Sequence, residues 1–211
     1  MSFTTTKTEL KHDVMKKDII LAGVGGQGIL SIAAIIGTAA VKAGLYLKQA
    51  EVHGMSQRGG DVQSNLRISN DPIASDLIPV GKADLIISVE PMEALRYVPM
   101  LCKDGWLITN TTPFNNIPDY PSIEALLEAI EQQPYHIKLD AETIAKGIGS
   151  VRFANVVILG AATPFLGLGY AQIEDAIRVM FGRKGEEIVN MNLAALKAGN
   201  EIAKLQIQQI K

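Results

Sequence analysis

The 211-residue sequence predicts one α/β domain, a doubly wound, mostly parallel sheet with helices on both faces and a helical C-terminal region. Three observations predict it. Short β-branched and aliphatic runs alternate with longer helical stretches as far as Leu139. A glycine cluster, Gly23-Val24-Gly25-Gly26-Gln27-Gly28, stands at the end of one such run and directly before an apolar helix. Beyond residue 140 only helical patterns follow. The resulting order, βαββ…βαβαβ and then helices, is Rossmann-like.

The elements follow in order. Met1–Lys17 is polar and charged, without the apolar stretch of a secretory signal, and is expected as a flexible tail, 1–17, ahead of a domain spanning 18–211. Asp18–Ala22 suits a buried strand. Gly28–Ala43 is a helix apolar nearly all round, so it belongs between the sheet and other elements, and Gly44 ends it. Tyr46–Val52 and Val62–Ile68 are strands around a second glycine-rich loop and are expected as one antiparallel pair. Asp84–Val89 is another buried strand. Pro91 opens a helix expected to reach about Cys102, with Pro99 bending or ending it. Trp106–Asn110 is the next strand, and Thr111–Pro121, with three prolines, is a loop. Ser122 caps a helix to about Gln133 whose apolar face is Ile123, Leu126, Leu127 and Ile130. Tyr135–Leu139 completes the strands. Helices are expected over Ala141–Lys146, Arg152–Leu166, Ala171–Phe181 and Glu186–Gln209.

Composition narrows the function. Lys and Arg are neither in excess nor clustered and the formal net charge is −2, which argues against a nucleic-acid partner. Ile19–Val41 carries no charged residue over 23 positions, but its five glycines and Gln27 favour strand, turn and buried helix over a membrane span. Cys102 is the one cysteine, which implies a reducing, cytoplasmic setting and expects that thiol as a buried apolar residue in a helix. A lone thiol holds neither an iron–sulfur cluster nor a structural zinc, so no metal site is expected on this chain.

Two loops carry the chemistry. Gly23-x-Gly25-x-x-Gly28 has the spacing that lets backbone approach a phosphate at a helix N-terminus, and Glu51, 23 residues after Gly28, stands where a ribose ligand is expected. The same glycines also serve a strand that only has to turn into a helix packed against it. The second loop, Glu51-Val52-His53-Gly54-Met55-Ser56-Gln57-Arg58-Gly59-Gly60, is longer than a hairpin needs. Arg58 is suited to a bidentate pair with carboxylate or phosphate, or to a solvated face.

Together these loops resemble the gamma-type domain of the 2-oxoacid:ferredoxin oxidoreductase family, and within it the small subunits of the indolepyruvate branch. Glu90-Pro91-Met92-Glu93-Ala94-Leu95-Arg96-Tyr97 and Arg152-Phe153-Ala154-Asn155-Val156-Val157-Ile158-Leu159-Gly160-Ala161 extend the resemblance, which runs from about Lys17 to the end. His53-Gly54, where related 2-oxoglutarate and pyruvate enzymes are expected to carry Tyr-Gly, favours the arylpyruvate branch. The resemblance implies oxidative decarboxylation of a 2-oxoacid with coenzyme A, giving acyl-CoA, carbon dioxide and reduced ferredoxin. Thiamine diphosphate, magnesium and [4Fe–4S] clusters are then expected on a large partner subunit, in a heterodimer or α2β2 assembly that passes electrons to ferredoxin.

On this reading Gly25, Gly26, Gln27 and Gly28 line a cleft toward the partner and cradle a coenzyme A phosphate or the partner's backbone. Arg58, supported by Gly59 and Gly60, is the anion contact for the substrate carboxylate or the coenzyme A pyrophosphate. Ser56 and Gln57 flank it, and His53 takes a supporting or proton-transfer role. Glu90 faces the same end of the sheet, or is a carboxylate at a helix N-terminus. Two rival readings stand beside this one, a free-standing NAD(P)- or FAD-binding Rossmann protein with Glu51 on the ribose, and a non-catalytic assembly module.

Overall fold

The computed structural model describes residues 15–53, 60–115 and 117–210, without the side chain of His53. Its centre is β1 (Lys16–Val24), in which every residue from Asp18 onward is buried. An aliphatic run with few polar interruptions forms a strand covered on both faces, and β1 is one. Lys16 and Lys17, expected in the tail, instead pair with Ser69 and Ile68 and extend the strand.

β1 leads into α1 (Ile29–Lys42), which returns the chain to β2 (Tyr46–His53) and then β3 (Asp61–Ser69). Next come β4 (Ala83–Ser88), α2 (Pro91–Arg96), β5 (Leu101–Asn110), α3 (Ile123–Glu131) and β6 (His136–Leu139). The sheet order is β2-β3-β1-β4-β5-β6. β1, β4, β5 and β6 run parallel. β3 is antiparallel to both β2 and β1. The expected single antiparallel pair is thus two pairings, because the returning strand of the hairpin inserts beside β1. From β1 the chain goes to the edge strand β2, returns inward through β3 and then crosses to β4, beyond which it moves outward to β6. The junction of β1 and β4 is the switch point where such sheets bind ligands.

Alternation along the strands divides the core. Ile19, Leu21, Leu85, Ile87 and Ile108 pack with Ile32, Ile35 and Ile36 of α1. Ile20, Ile86 and Leu107 face the other way, with Ala94 of α2 and Ile130 of α3. A second helical layer thickens the α1 side: α4 (Ala141–Ile148), α5 (Ala154–Ala162), α6 (Tyr170–Phe181) and α7 (Glu186–Ile210). α5 is buried from Val156 through Ala162, which explains a helix with no polar face. Its backbone nearly touches that of α7, since a β-carbon on Gly199 would overlap the Val157 carbonyl oxygen and one on Gly160 that of Leu196.

Two expected helices differ. The helix from Pro91 stops at Arg96, a 3-10 turn follows over Val98–Met100, and β5 begins at Leu101. Pro99 closes off the helix and releases the chain into the sheet. Cys102 is therefore a half-buried strand residue, not a buried helical one. Arg152–Leu166 is broken into a 3-10 turn at Val151–Phe153, α5, and another 3-10 turn at Thr163–Phe165 containing Pro164. No helix among the described residues is long and apolar enough to cross a membrane.

Candidate functional site

A cleft of about 390 Å³ opens beyond the carboxyl ends of the parallel strands. Gly26, Gln27 and Gly28 form one wall, Asn110 and Phe114 a second, and Arg152 and Asn155 a third. The first wall is a turn locked by its own side chain: Gln27 N donates to Val24 O at 3.1 Å, and Val24 N donates to Gln27 Oε1 at 2.8 Å. Gln27 thus uses its amide oxygen to hold the loop. Gly28 takes φ +84° as the residue before α1, a left-handed conformation that other residues rarely adopt. A side chain there would also collide with Asn155. Gly28 gives α1 no side-chain cap, Gly28 and Ser31 line the cleft, and an anion is favoured at such a helix N-terminus.

Asn155 supports this geometry from the far end of the chain, its Nδ2 donating to Gly28 O at 3.1 Å. A neighbouring hollow of about 330 Å³ shares Ser31, Arg152 and Asn155 with the cleft and adds Lys184 and Asn192. Arg152 and Lys184 supply positive charge along this trench, and Glu142 is the acidic group lining the cleft.

The two glycine loops meet. Gly25 N donates to Gly60 O at 2.9 Å, so the end of the second loop is anchored to the first. His53 closes β2 opposite Val62. Its side chain lies outside the described residues, as do Ser56, Gln57, Arg58 and Gly59. Of the expected site residues, the structure brings Gly25, Gly26, Gln27, Gly28 and Gly60 together. Glu51 lies in β2 with β3 between it and β1, about 10 Å from the central strand by two strand spacings. A dinucleotide held at the first loop would want its ribose carboxylate on the strand adjacent to β1, so this placement weakens that rival.

Behind the second wall stands a cluster of carboxylates. Glu90 is fully buried and caps α2, Oε2 accepting from Glu93 N at 2.8 Å. Its Oε1 accepts from Phe114 N at 3.3 Å and from the Tyr120 hydroxyl. The helix-capping reading of Glu90 is the one the structure bears out, with a second contact to the loop after β5. Burial pushes the Glu93 carboxyl up against the opposing pull of Arg96, whose Nε lies 2.8 Å away. Burial also raises the phenols of Tyr97, to about 12, and Tyr120, where Glu90 adds to the effect. Asp140, by contrast, is lowered by the Thr143 hydroxyl and amide it accepts from at the start of α4.

Asn155, Arg152 and Phe114 are site residues that reading the sequence did not assign. The sequence carries a partial signal for Asn155, since a lone amide in the otherwise apolar Ala154–Ala162 helix needs a partner, but it does not say which. Among the described residues no three His, Cys, Asp or Glu side chains converge as a metal site. With Cys102 the single thiol of the sequence, the donors present do not fit an iron–sulfur cluster.

The sequence pattern of the pyruvate ferredoxin/flavodoxin oxidoreductase family matches residues 18–202. The chain belongs to that family. This oxidoreductase chain is 39% identical to the indolepyruvate oxidoreductase subunit IorB of Pyrococcus horikoshii, over 89% of this chain and 96% of the other. Its fold is similar to the keto/oxoacid ferredoxin oxidoreductase gamma subunit of Geobacter sulfurreducens (TM-score 0.66, 23% identity, 90% of this chain and 99% of that one). It is also similar to the 2-oxoglutarate:ferredoxin oxidoreductase of Magnetococcus marinus, described with 2-oxoglutarate, coenzyme A and succinyl-CoA bound (TM-score 0.73, 22% identity, 90% of this chain). There the match spans 31% of a longer chain, so the oxidoreductase fold seen here also occurs as one part of a larger polypeptide.

Proposed function

We propose that the chain is the small subunit of an indolepyruvate:ferredoxin oxidoreductase. It completes the site at which an arylpyruvate, coenzyme A and two oxidised ferredoxins become an aryl-acetyl-CoA, carbon dioxide, one proton and two reduced ferredoxins. The observation that carries this reading is a strand-end cleft with a locked glycine cradle on a chain whose donors do not fit a redox cluster. Such a chain supplies binding surface to chemistry held elsewhere. The similarity to an indolepyruvate oxidoreductase subunit along nearly its full length supports the choice of donor.

Thiamine diphosphate, magnesium and [4Fe–4S] clusters belong, on this reading, to a large partner subunit in an α2β2 assembly. That partner passes electrons to ferredoxin in the cytoplasm. The gamma-type domain runs over 18–211. The backbone of Gly25–Gly28 and the α1 N-terminus take an anionic group of coenzyme A, with Arg152 alongside. Arg58, flanked by Ser56, Gln57, Gly59 and Gly60, is assigned as the anion contact and His53 as its support.

Co-expression with the large subunit tests this. Indolepyruvate- and CoA-dependent viologen reduction is expected from the two chains together and from neither alone. Micromolar NAD binding by the isolated chain would overturn the reading in favour of a free-standing dinucleotide protein. A panel of 2-oxoacids decides the branch, with faster turnover of 2-oxoglutarate or pyruvate moving the chain to the corresponding gamma subunits. An Arg58→Ala complex that assembles and keeps full activity removes that residue from the site.

A further inference from the structure

We propose that Phe114 is the surface on which a planar ring of the ligand stacks, and that buried Glu90 is the positioning residue that holds it there. The inference rests on the functional reading above and adds a residue that selects the ligand. Among the described residues that line the cleft, Phe114 is the one aromatic side chain. It is 42% exposed, which leaves part of its surface open to a partner ring. A ring left partly exposed at the wall of the cleft still has apolar surface that a ligand ring can cover.

The loop that carries it is tied at successive points. Asn110 Nδ2 donates to the carbonyls of Val89 and Thr112, each at 3.4 Å. Thr112 Oγ1 donates to Asp140 Oδ1 at 3.2 Å. Phe114 N and the Tyr120 hydroxyl both donate to Glu90 Oε1. Capping α2 occupies only Oε2 of Glu90, so a cap alone does not explain why the other oxygen reaches into this loop. Ser88 completes the fixture, with its Oγ donating to Glu90 O at 2.6 Å and accepting from Glu90 N at 3.2 Å. A fully buried carboxylate is tolerated where its oxygens are this well satisfied, and here α2 satisfies Oε2 while the loop after β5 satisfies Oε1.

Two ligand rings have the required chemistry, the purine of coenzyme A and the aryl ring of the 2-oxoacid, and steady-state kinetics of the assembled two-chain complex separates them. Stacking on an aromatic side chain is strong enough that Phe114→Ala is expected to raise one KM about tenfold with kcat held within about twofold. If the purine stacks, KM for coenzyme A rises while KM for pantetheine, which lacks it, does not. If the aryl ring stacks, KM for indolepyruvate rises while that for 4-methyl-2-oxopentanoate does not. Phe114→Tyr restores the affected KM. Glu90→Ala raises the same KM, and adding it to Phe114→Ala gives no further rise, because it acts through the ring. Tyr120→Phe removes one loop-side donor without touching the α2 cap, and makes the same comparison if Glu90→Ala does not fold. Unchanged KM values in Phe114→Ala overturn the stacking, and additive effects overturn the positioning role. A wild-type complex that oxidises no 2-oxoacid with coenzyme A fails the functional reading instead. Calorimetric titrations of coenzyme A and of indolepyruvate then decide the stacking separately, with Kd values equal in wild type and Phe114→Ala for both ligands counting against it.

Discussion

The Asn155 side-chain amide donates to the Gly28 carbonyl oxygen at 3.1 Å across 127 residues of sequence. This contact joins the first turn of α5 to the residue on which the glycine cradle pivots. Replacing Asn155 by Asp sets a carboxylate oxygen against that carbonyl and is expected to cost about 1–3 kcal/mol. Gly28→Ala is expected to be worse than either effect alone, because it combines a left-handed φ with a side chain that meets Asn155 Nδ2. Urea unfolding of Gly28→Ala, Asn155→Ala and the pair checks this. The double variant should lose less than the sum, since deleting the amide removes the clash and leaves only the backbone strain. Strict additivity would show that the two residues do not touch as described.

A second pair fixes the opposite end of β1. Asp18 and Arg67 face each other in register on β1 and β3, with Nε to Oδ1 at 2.7 Å and Nη2 to Oδ2 at 3.0 Å. Arg67 Nη1 also donates to the carbonyls of Ser75 and Leu77, each at 2.9 Å, pinning the loop that leads to β4. Arg67→Ala leaves Asp18, which is 1% exposed, with Lys16 at 2.8 Å as the one cation among the described residues to balance it. Breaking a buried pair from one side is expected to cost about 3–5 kcal/mol, with the remaining lysine favouring the low end. Arg67→Lys is expected to recover little, because an ammonium cannot make the fork. A urea midpoint for Arg67→Ala close to wild type would show the pair to be dispensable.

What the sequence discloses of this fold is what is encoded locally. Asp18–Ala22, Gly28–Ala43 and the two strands of the hairpin were legible because β-branched runs, glycines and apolar periodicity act over a few neighbours. Leu101 and Cys102 read locally as the end of a helix, with the strand beginning only at Trp106, whereas β5 starts at Leu101. Their true state depends on Pro99 and on β4 offering Ala83 as a partner for Leu101, and only the first of these is local. The insertion of β3 between β2 and β1 is likewise a tertiary choice, as the alternation in Val62–Ile68 fits either neighbour. At the site, the glycine cradle announced itself through spacing, whereas Phe114 and Asn155 became site residues only through contacts with Glu90 and Gly28 from distant segments.

Two carboxylates give stability opposite pH signatures. Asp140 is held below its ordinary 3.8 by the Thr143 hydroxyl and amide, so its contribution is complete above 3.8 and lost as pH falls through its folded value. Glu93 is held above its ordinary 4.5 by burial, so its contribution is complete below 4.5 and lost as pH rises through its folded value. Asp140→Ala is therefore expected to lower neutral-pH stability by about 1 kcal/mol through loss of the α4 cap, with the deficit shrinking only below pH 3.8. Glu93→Gln should flatten the fall in stability as pH rises above 4.5. Urea midpoints measured between acid and neutral pH test both, and a Glu93→Gln profile parallel to wild type would remove Glu93 from this account.

The contact between α5 and α7 gives the sharpest packing prediction. Gly199 faces the Val157 carbonyl oxygen and the Ala161 amide nitrogen, and Gly160 faces the backbone of Leu196. Two helices approach this closely only where neither presents a side chain. A methyl group at Gly199 meets backbone, which cannot rotate away as a flexible side chain does, so the helices must separate. Separation strips contacts from Val157, Leu159 and Leu196, all fully buried. Overpacking at this site is expected to cost about 3 kcal/mol, at the upper end of the usual range, even though alanine is the better helix former. For a domain of this size that is a fall in Tm of about 6–12 °C. Gly147, with open space around it, is the control: Gly147→Ala should leave Tm unchanged or raise it through helix propensity. Because α5 also carries Asn155, a Gly199→Ala protein that folds should show a weakened cradle, read as a raised KM for coenzyme A in the assembled complex. Equal Tm values for the two alanine variants would mean that the helices stand further apart than their glycines imply.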